Sequence, residues 1–288
     1  MNKSKAVVIL FLIFINLKFE FVYPQAGFNS SKNKIIEFPS NLKLYLSPNQ
    51  VDSFIQAKQI FDNIKTSNDL YSFYKNILPP LYDFILKGVK KSNPEVVTTG
   101  DNSPAEIWRS ISDYLQMIEV GALCSECEFV PITNIKPFLQ KAATTAGLED
   151  DKYFEFLVAL YGESTKDSIV YEQAGNINNY YSMDGCDFCA FSTLGDGKYY
   201  KIIIAYNKAL NVGNLFKTEI QQYFNFLQWE HTHYGESKIN VLKEIDKIIL
   251  NCKLEPDKVK IIKAARNKIN LGRNIQFNCK RKQCKYDY

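Results

Sequence analysis

Two histidines, His231 and His233, sit in the stretch Trp229-Glu230-His231-Thr232-His233-Tyr234-Gly235, and they are the only two in the chain. Imidazoles beside a carboxylate are the raw material of a metal centre or of acid–base hydrolysis, provided that their lone pairs converge on one point. Residues two apart converge only on extended backbone; on a helix they diverge by roughly 200 degrees. The residues before them (Leu215, Phe216, Ile220, Tyr223, Phe224 and Leu227) recur at helical spacing, which predicts a helix from Leu215 into Glu230. The pair then falls at a helix C-terminus, where imidazolium is favoured by the exposed carbonyls, with Gly235 as the stop and Ser237 as the next N-cap. No His-Glu-x-x-His spacing and no third histidine exist. Capping is therefore the first reading, and Glu230, His231 and His233 holding a metal for hydrolysis is the alternative.

The cysteines carry more chemistry. Cys124 and Cys127 form one CxxC pair, Cys186 and Cys189 a second, and Cys252, Cys279 and Cys284 lie further on. In a reducing compartment two such pairs suggest four thiolates on zinc. In an oxidising one the same sulfurs become disulfides, with Cys252 at a helix end meeting Cys279 or Cys284 to staple the tail. The 58 residues between Cys127 and Cys186 exceed compact zinc spacing, and neither pair opens a helix after a strand as a redox dithiol would. All seven cysteines are thus disulfide candidates, and the odd number leaves one over. No cofactor is expected; zinc is the one these pairs could hold.

Charge is divided along the chain. Residues 27–190 hold 14 Lys and Arg against 21 Asp and Glu, and residues 191–288 hold 18 against 9. The two parts attract each other, or the basic one faces a polyanion through Lys258, Lys263, Arg266, Arg273, Lys280, Arg281 and Lys282. The apolar face of Val259, Ile261, Ile262, Ala265 and Ile269 argues that some of these lysines are simply the wet side of a helix. No G-x-S-x-G elbow or P-loop occurs, and Gly195-Asp196-Gly197 reads better as a turn. Composition and motifs thus favour a binding or structural-interaction protein over an enzyme.

The elements that must position these residues begin after a leader. Lys3 and Lys5 precede a twelve-residue apolar run, Ala6 to Leu17, interrupted only by Asn16. That suits a signal peptide over residues 1–26 better than a membrane anchor, and no later segment is apolar enough to span. The expected chain is secreted or periplasmic, where nucleic acid is a poor partner and a protein, peptide or polyanion a better one. Residues 27–46 read as a flexible lead-in, 47–175 as an acidic helical region and 176–288 as a basic α+β region packed with it into one unit.

The expected fold is predominantly α (α+β), a helical assembly with a small β-hairpin in the C-terminal half. Helices are predicted from a Ser47–Gln50 capping box, over Asp69–Leu78 and Leu81–Lys90 (interrupted by Pro79 and Pro80), from Ser103 through Ile118, and over Ile135–Thr145 and Asp150–Tyr161. Further helices are predicted over Ile239–Leu250 and Pro256–Asn270, the last stopped by Gly272. The hairpin is placed on Cys189–Asn207, two runs rich in aromatic and β-branched residues around Gly195-Asp196-Gly197, and the tail is expected to add a strand.

Overall fold

Ser47 opens the first helix as its residue type predicts. Its hydroxyl accepts the Gln50 N–H at 3.4 Å while the Gln50 side chain accepts the Ser47 N–H at 2.9 Å, so two of the helix's orphan donors are satisfied reciprocally. The structure, a computed structural model, describes residues 37–40, 43, 46–83, 85, 110–111, 113–122, 129–161, 171–172, 181–182, 191–272 and 274–279. The chain divides into two units, Met1–Glu37 and Phe38–Tyr288. Residues 1–36 lie outside the described part, and with them the expected leader and half of the expected lead-in.

The described part is mostly helical. Its helices are α1 (Pro48–Asp62), α2 (Ser67–Ser72), α3 (Ile135–Ala142), α4 (Glu149–Tyr161), α5 (Lys198–Val212), α6 (Lys217–Phe226), α7 (Lys238–Asn251) and α8 (Pro256–Leu271). Short strands accompany them: β1 (Ile118–Ala122) pairs antiparallel with β2 (Phe129–Asn134), β2 with β3 (Tyr171–Glu172), and β4 (Tyr181–Ser182) with β5 (Phe191–Ser192). Among the described residues no helix is long and apolar enough to cross a membrane.

Three expectations about elements are corrected. The hairpin on Cys189–Asn207 does not form: after Phe191–Ser192 the chain turns through Gly195, at φ 110°, and Gly197, at φ 91°, and enters α5. Tyr199, Ile202, Ile203, Tyr206 and Ala209 are buried along one helical face, so burial overrides the strand propensity of these residues. Next, Pro79 and Pro80 do not end a helix. A π turn over Phe73–Ile77 follows α2, the Leu78 N–H bonds the Phe73 carbonyl, and residues 78–83 continue helical. Widening the backbone by one residue just before the two missing N–H groups lets the run pass through them. Finally, the helix expected to reach Ile118 stops at Leu115; Gln116 takes φ 62° and Ile118 opens β1.

One apolar core runs through the unit. Phe138 stacks on Phe154 with centroids 5.3 Å apart, Tyr74 meets both edge-on, and Tyr153 stacks on Phe216 at 4.1 Å, joining α3 and α4 to the residue before α6. Polar clips cross the same boundary: Glu149 accepts the Leu215 N–H at 2.7 Å and Lys75 pairs with Glu219 at 2.7 Å. Asp150, in the first turn of α4, is fully buried and accepts from the Ser67 and Thr145 hydroxyls at 2.7 Å each. It ties the start of α2 to the loop before α4, as a buried carboxylate must be tied to be tolerated.

Candidate functional site

The histidine stretch is not a helix end. α6 stops at Phe226, Leu227 turns to extended backbone, and from there burial alternates: Leu227 in, Gln228 out, Trp229 in, Glu230 out, with Tyr234 buried further on. That period of two is present in the sequence, hidden by the helical pattern immediately before it. The extended segment is held on both sides. Ser192 N–H donates to the His233 carbonyl at 2.9 Å and Gly235 N–H to the Ser192 carbonyl at 3.0 Å. Gln276 N–H donates to the Thr232 carbonyl at 2.8 Å, and Cys279 N–H to the Tyr234 carbonyl at 2.9 Å. The tail thus adds its strand-like pairing here, and the sequence-distant residues 192, 232–236 and 276–279 meet.

Against this segment the C-terminal end of α8 leaves an open cleft of about 570 Å³, lined by Glu230, His231, Thr232, Tyr234, Lys268, Ile269, Leu271, Asn274 and Ile275. His231 is half-buried, and burial lowers its pKa from the ordinary 6.5, which favours the neutral ring. Its Nδ1 lies 2.9 Å from the His233 carbonyl and 3.1 Å from the His233 N–H, so a proton on Nδ1 donates to the first and a lone pair there accepts from the second. The ring is therefore held in either neutral tautomer. The His231 N–H donates to the Tyr234 hydroxyl at 2.9 Å, and burial pushes that phenol up to about 12, keeping it a neutral acceptor. Tyr234 is itself fixed by stacking on Phe277 at 5.4 Å.

Glu230 does not turn toward the imidazoles as a ligand would. Its carboxylate pairs with Lys268 at 2.7 Å across the mouth of the cleft, both side chains well exposed. His233 contacts Thr232 Oγ1 through Nδ1 at 2.8 Å, and the two imidazole centroids stand 6.4 Å apart. Two imidazoles on one tetrahedral zinc, with Zn–N near 2.0–2.1 Å, bring their centroids to about 5 Å. Among the described residues no three His, Cys, Asp or Glu side chains gather as a metal site would require.

The remaining candidates separate. Arg266 grips Asp246 with two hydrogen bonds at 2.5 and 2.8 Å, which lowers the Asp246 pKa and raises that of the guanidinium. Lys258 pairs with Glu255 at 3.1 Å and lies 5.3 Å from the Phe224 ring centroid, its side chain 12% exposed. Lys263 is exposed. Two of these three cations are thus engaged within the fold; Arg273, Lys280, Arg281 and Lys282 lie outside the described residues. Cys252 is a buried free thiol, not joined to Cys279, and burial raises its pKa. The other partner expected for Cys252, Cys284, lies outside the described residues, as do Cys124, Cys127, Cys186 and Cys189.

One residue that no sequence motif marks is Glu244. It is 5% exposed, and its carboxylate accepts three backbone N–H groups: Gly195 at 2.5 Å, Gly197 at 3.1 Å and Tyr200 at 2.8 Å. Burial pushes its pKa up and the three N–H groups pull it down, burial being the larger effect. No protein family, no curated protein and no solved structure matches this chain.

Proposed function

We propose that this chain is an exported, soluble binding protein without a catalytic centre, and that the cleft between Glu230–Tyr234 and the end of α8 is one of its ligand-facing surfaces. One observation carries the reading: Glu230 is balanced by Lys268, His231 is held as a neutral ring, and Ile269, Leu271 and Ile275 supply apolar wall. A cleft with fixed hydrogen-bonding groups, apolar walls and balanced charge suits an uncharged or amphipathic group, such as a peptide side chain, better than a reacting ion. The exposed Glu230–Lys268 pair contributes only about 0–1 kcal/mol, so a ligand can part it at small cost. Export rests on the leader read from residues 1–26.

The test uses apolar probes. Benzene-sized fragments and short apolar peptides titrated into isotope-labelled protein should shift the amides of residues 230–234 and 268–275, and Ile275→Asp should abolish those shifts while leaving the spectrum folded. Shifts elsewhere only, or none, overturn the reading. The metal-dependent hydrolase on Glu230, His231 and His233 is the second reading, favoured by His233, whose Nδ1 contact with Thr232 leaves its Nε2 for a ligand. Metal analysis with His231→Ala/His233→Ala decides it: loss of a bound metal together with an activity would replace the binding protein by the enzyme. A zinc-stabilised module on the two CxxC pairs predicts one zinc per chain and four thiols masked until the metal is chelated.

A further inference from the structure

A second open cleft, of about 510 Å³, lies over the outer face of α5, bordered by α4 and α7 and lined by Tyr200, Lys201, Ile204, Lys208, Lys247 and Glu155 among others. Its charge is one-sided. Glu155 is already paired with Lys152 at 2.6 Å, whereas Lys201, Lys208 and Lys247 form no ion pair among the described residues. Lys201, Ile204 and Lys208 follow one helical stripe, which puts the two ammonium-bearing residues about 10 Å apart along the axis with apolar surface between them. The third cation is held in place: Lys247 Nζ sits 3.8 Å from the Tyr200 ring centroid.

The supporting backbone is also fixed. Glu244, one turn before Lys247 on α7, accepts the N–H of Gly195, Gly197 and Tyr200, so α7 clamps both the main chain that starts α5 and the ring beneath Lys247. The same contacts occupy the N–H groups at the helix start, leaving recognition of an anion to the lysines. The apolar stripe of Ile204 and Ala205 would carry the body of a ligand between its charged ends.

We propose that this cleft binds a small anion bearing at least two phosphate or sulfate groups, bridged from the Lys201–Lys247 end to Lys208. Several ammonium groups around an open cleft recognise such tetrahedral oxyanions as point charges. This site is independent of the cleft at His231 and rests on different residues. It is distinct from the polyanion surface expected over residues 258–282, of which Lys258 and Arg266 on α8 are engaged by Glu255 and Asp246.

Calorimetric titration of the full chain with inorganic tripolyphosphate, and separately with a doubly sulfated disaccharide, tests the site. Saturable one-to-one binding of either is expected, and the better ligand tells a phosphorylated from a sulfated source. Lys201→Ala/Lys208→Ala should weaken it about tenfold or more, as loss of charge-assisted hydrogen bonds does. Lys65→Ala/Lys217→Ala, which removes the same charge from exposed positions elsewhere, should leave it nearly unchanged. Thermal melts confirm that both variants fold; Lys247 is left in place because its loss would also remove a packing contact with Tyr200. Absence of saturable binding, or equal weakening in both double variants, overturns the site, and neither result bears on the apolar-probe experiment at His231.

Discussion

Glu244 and His231 show how single buried ionisable groups fix the two clefts. The Glu244 carboxylate accepts both the Gly195 and the Gly197 N–H, and Gly195 itself has no room for a side chain, since a Cβ there would lie 2.7 Å from that of Glu236. Glu244→Gln keeps the shape but turns one acceptor into a donor facing an N–H, so urea unfolding should show a loss of about 1–3 kcal/mol. An unchanged midpoint would mean that the turn holds α5 without it. For His231 the sign follows from burial. Its folded pKa lies below 6.5, so the unfolded chain binds the proton first; the stabilisation is complete above pH 6.5 and is lost as pH falls through the lowered folded value. Stability of the wild type should therefore decline more steeply below pH 6.5 than that of His231→Gln, measured by denaturant melts of both proteins across that range. Parallel profiles would place the imidazole in solvent.

At the scale of elements, what is legible in the sequence is what short-range chemistry decides. Ser47 with Gln50, Ser237 accepting the Asn240 N–H, and Gly272 at φ 67° after α8 mark boundaries that capping residues announce by themselves. What stays hidden depends on partners far along the chain. α5 carries Ile202-Ile203-Ile204 between tyrosines, a strand-like pattern, and it is a helix because five side chains on one face meet the core and because Glu244, 44 residues after Tyr200, anchors its start. Extended Leu227–Tyr234 mimics a helix end for the converse reason, a helical pattern running up to it and pairing partners at Ser192 and Gln276 that local spacing does not reveal. The candidate site is legible as residues but not as geometry: Glu230 and His231 do line one cleft, yet Lys268 and Ile275, which give it its character, lie more than thirty residues further along the chain. A peptide of residues 198–212 should accordingly be largely unstructured in water by circular dichroism, since fifteen residues with β-branched and aromatic side chains do not offset helix nucleation. A strongly helical peptide would show that local propensity, not burial, makes α5.

Across the whole of Phe38–Tyr288 the division of charge does not correspond to a division of core. The acidic part supplies Tyr71, Lys75, Glu149 and Tyr153, and the basic part answers with Leu215, Phe216 and Glu219, through one stacked and one edge-on ring pair, one carboxylate-to-backbone bond and one ion pair. Notably, the ion pair runs against the overall polarity, a lysine from the acidic part meeting a glutamate from the basic part, so the net charges are not what joins them. Phe216 is 2% exposed and contacts Tyr71, Tyr153 and Phe154, which makes it the side chain on which the joint most depends. If the core is continuous, the amides of α4 around Leu157 and those of α7 around Ile245 open in one global event and share one exchange free energy. Phe216→Ala, with a cost of about 3–5 kcal/mol, should then lower protection equally in both helices, although of the two only α4 stacks on the deleted ring. Hydrogen exchange in the native state measures both sets at once. Loss confined to α4, with α7 unchanged, would instead mean that the unit opens in two steps and that each cleft is stabilised by its own part of the chain.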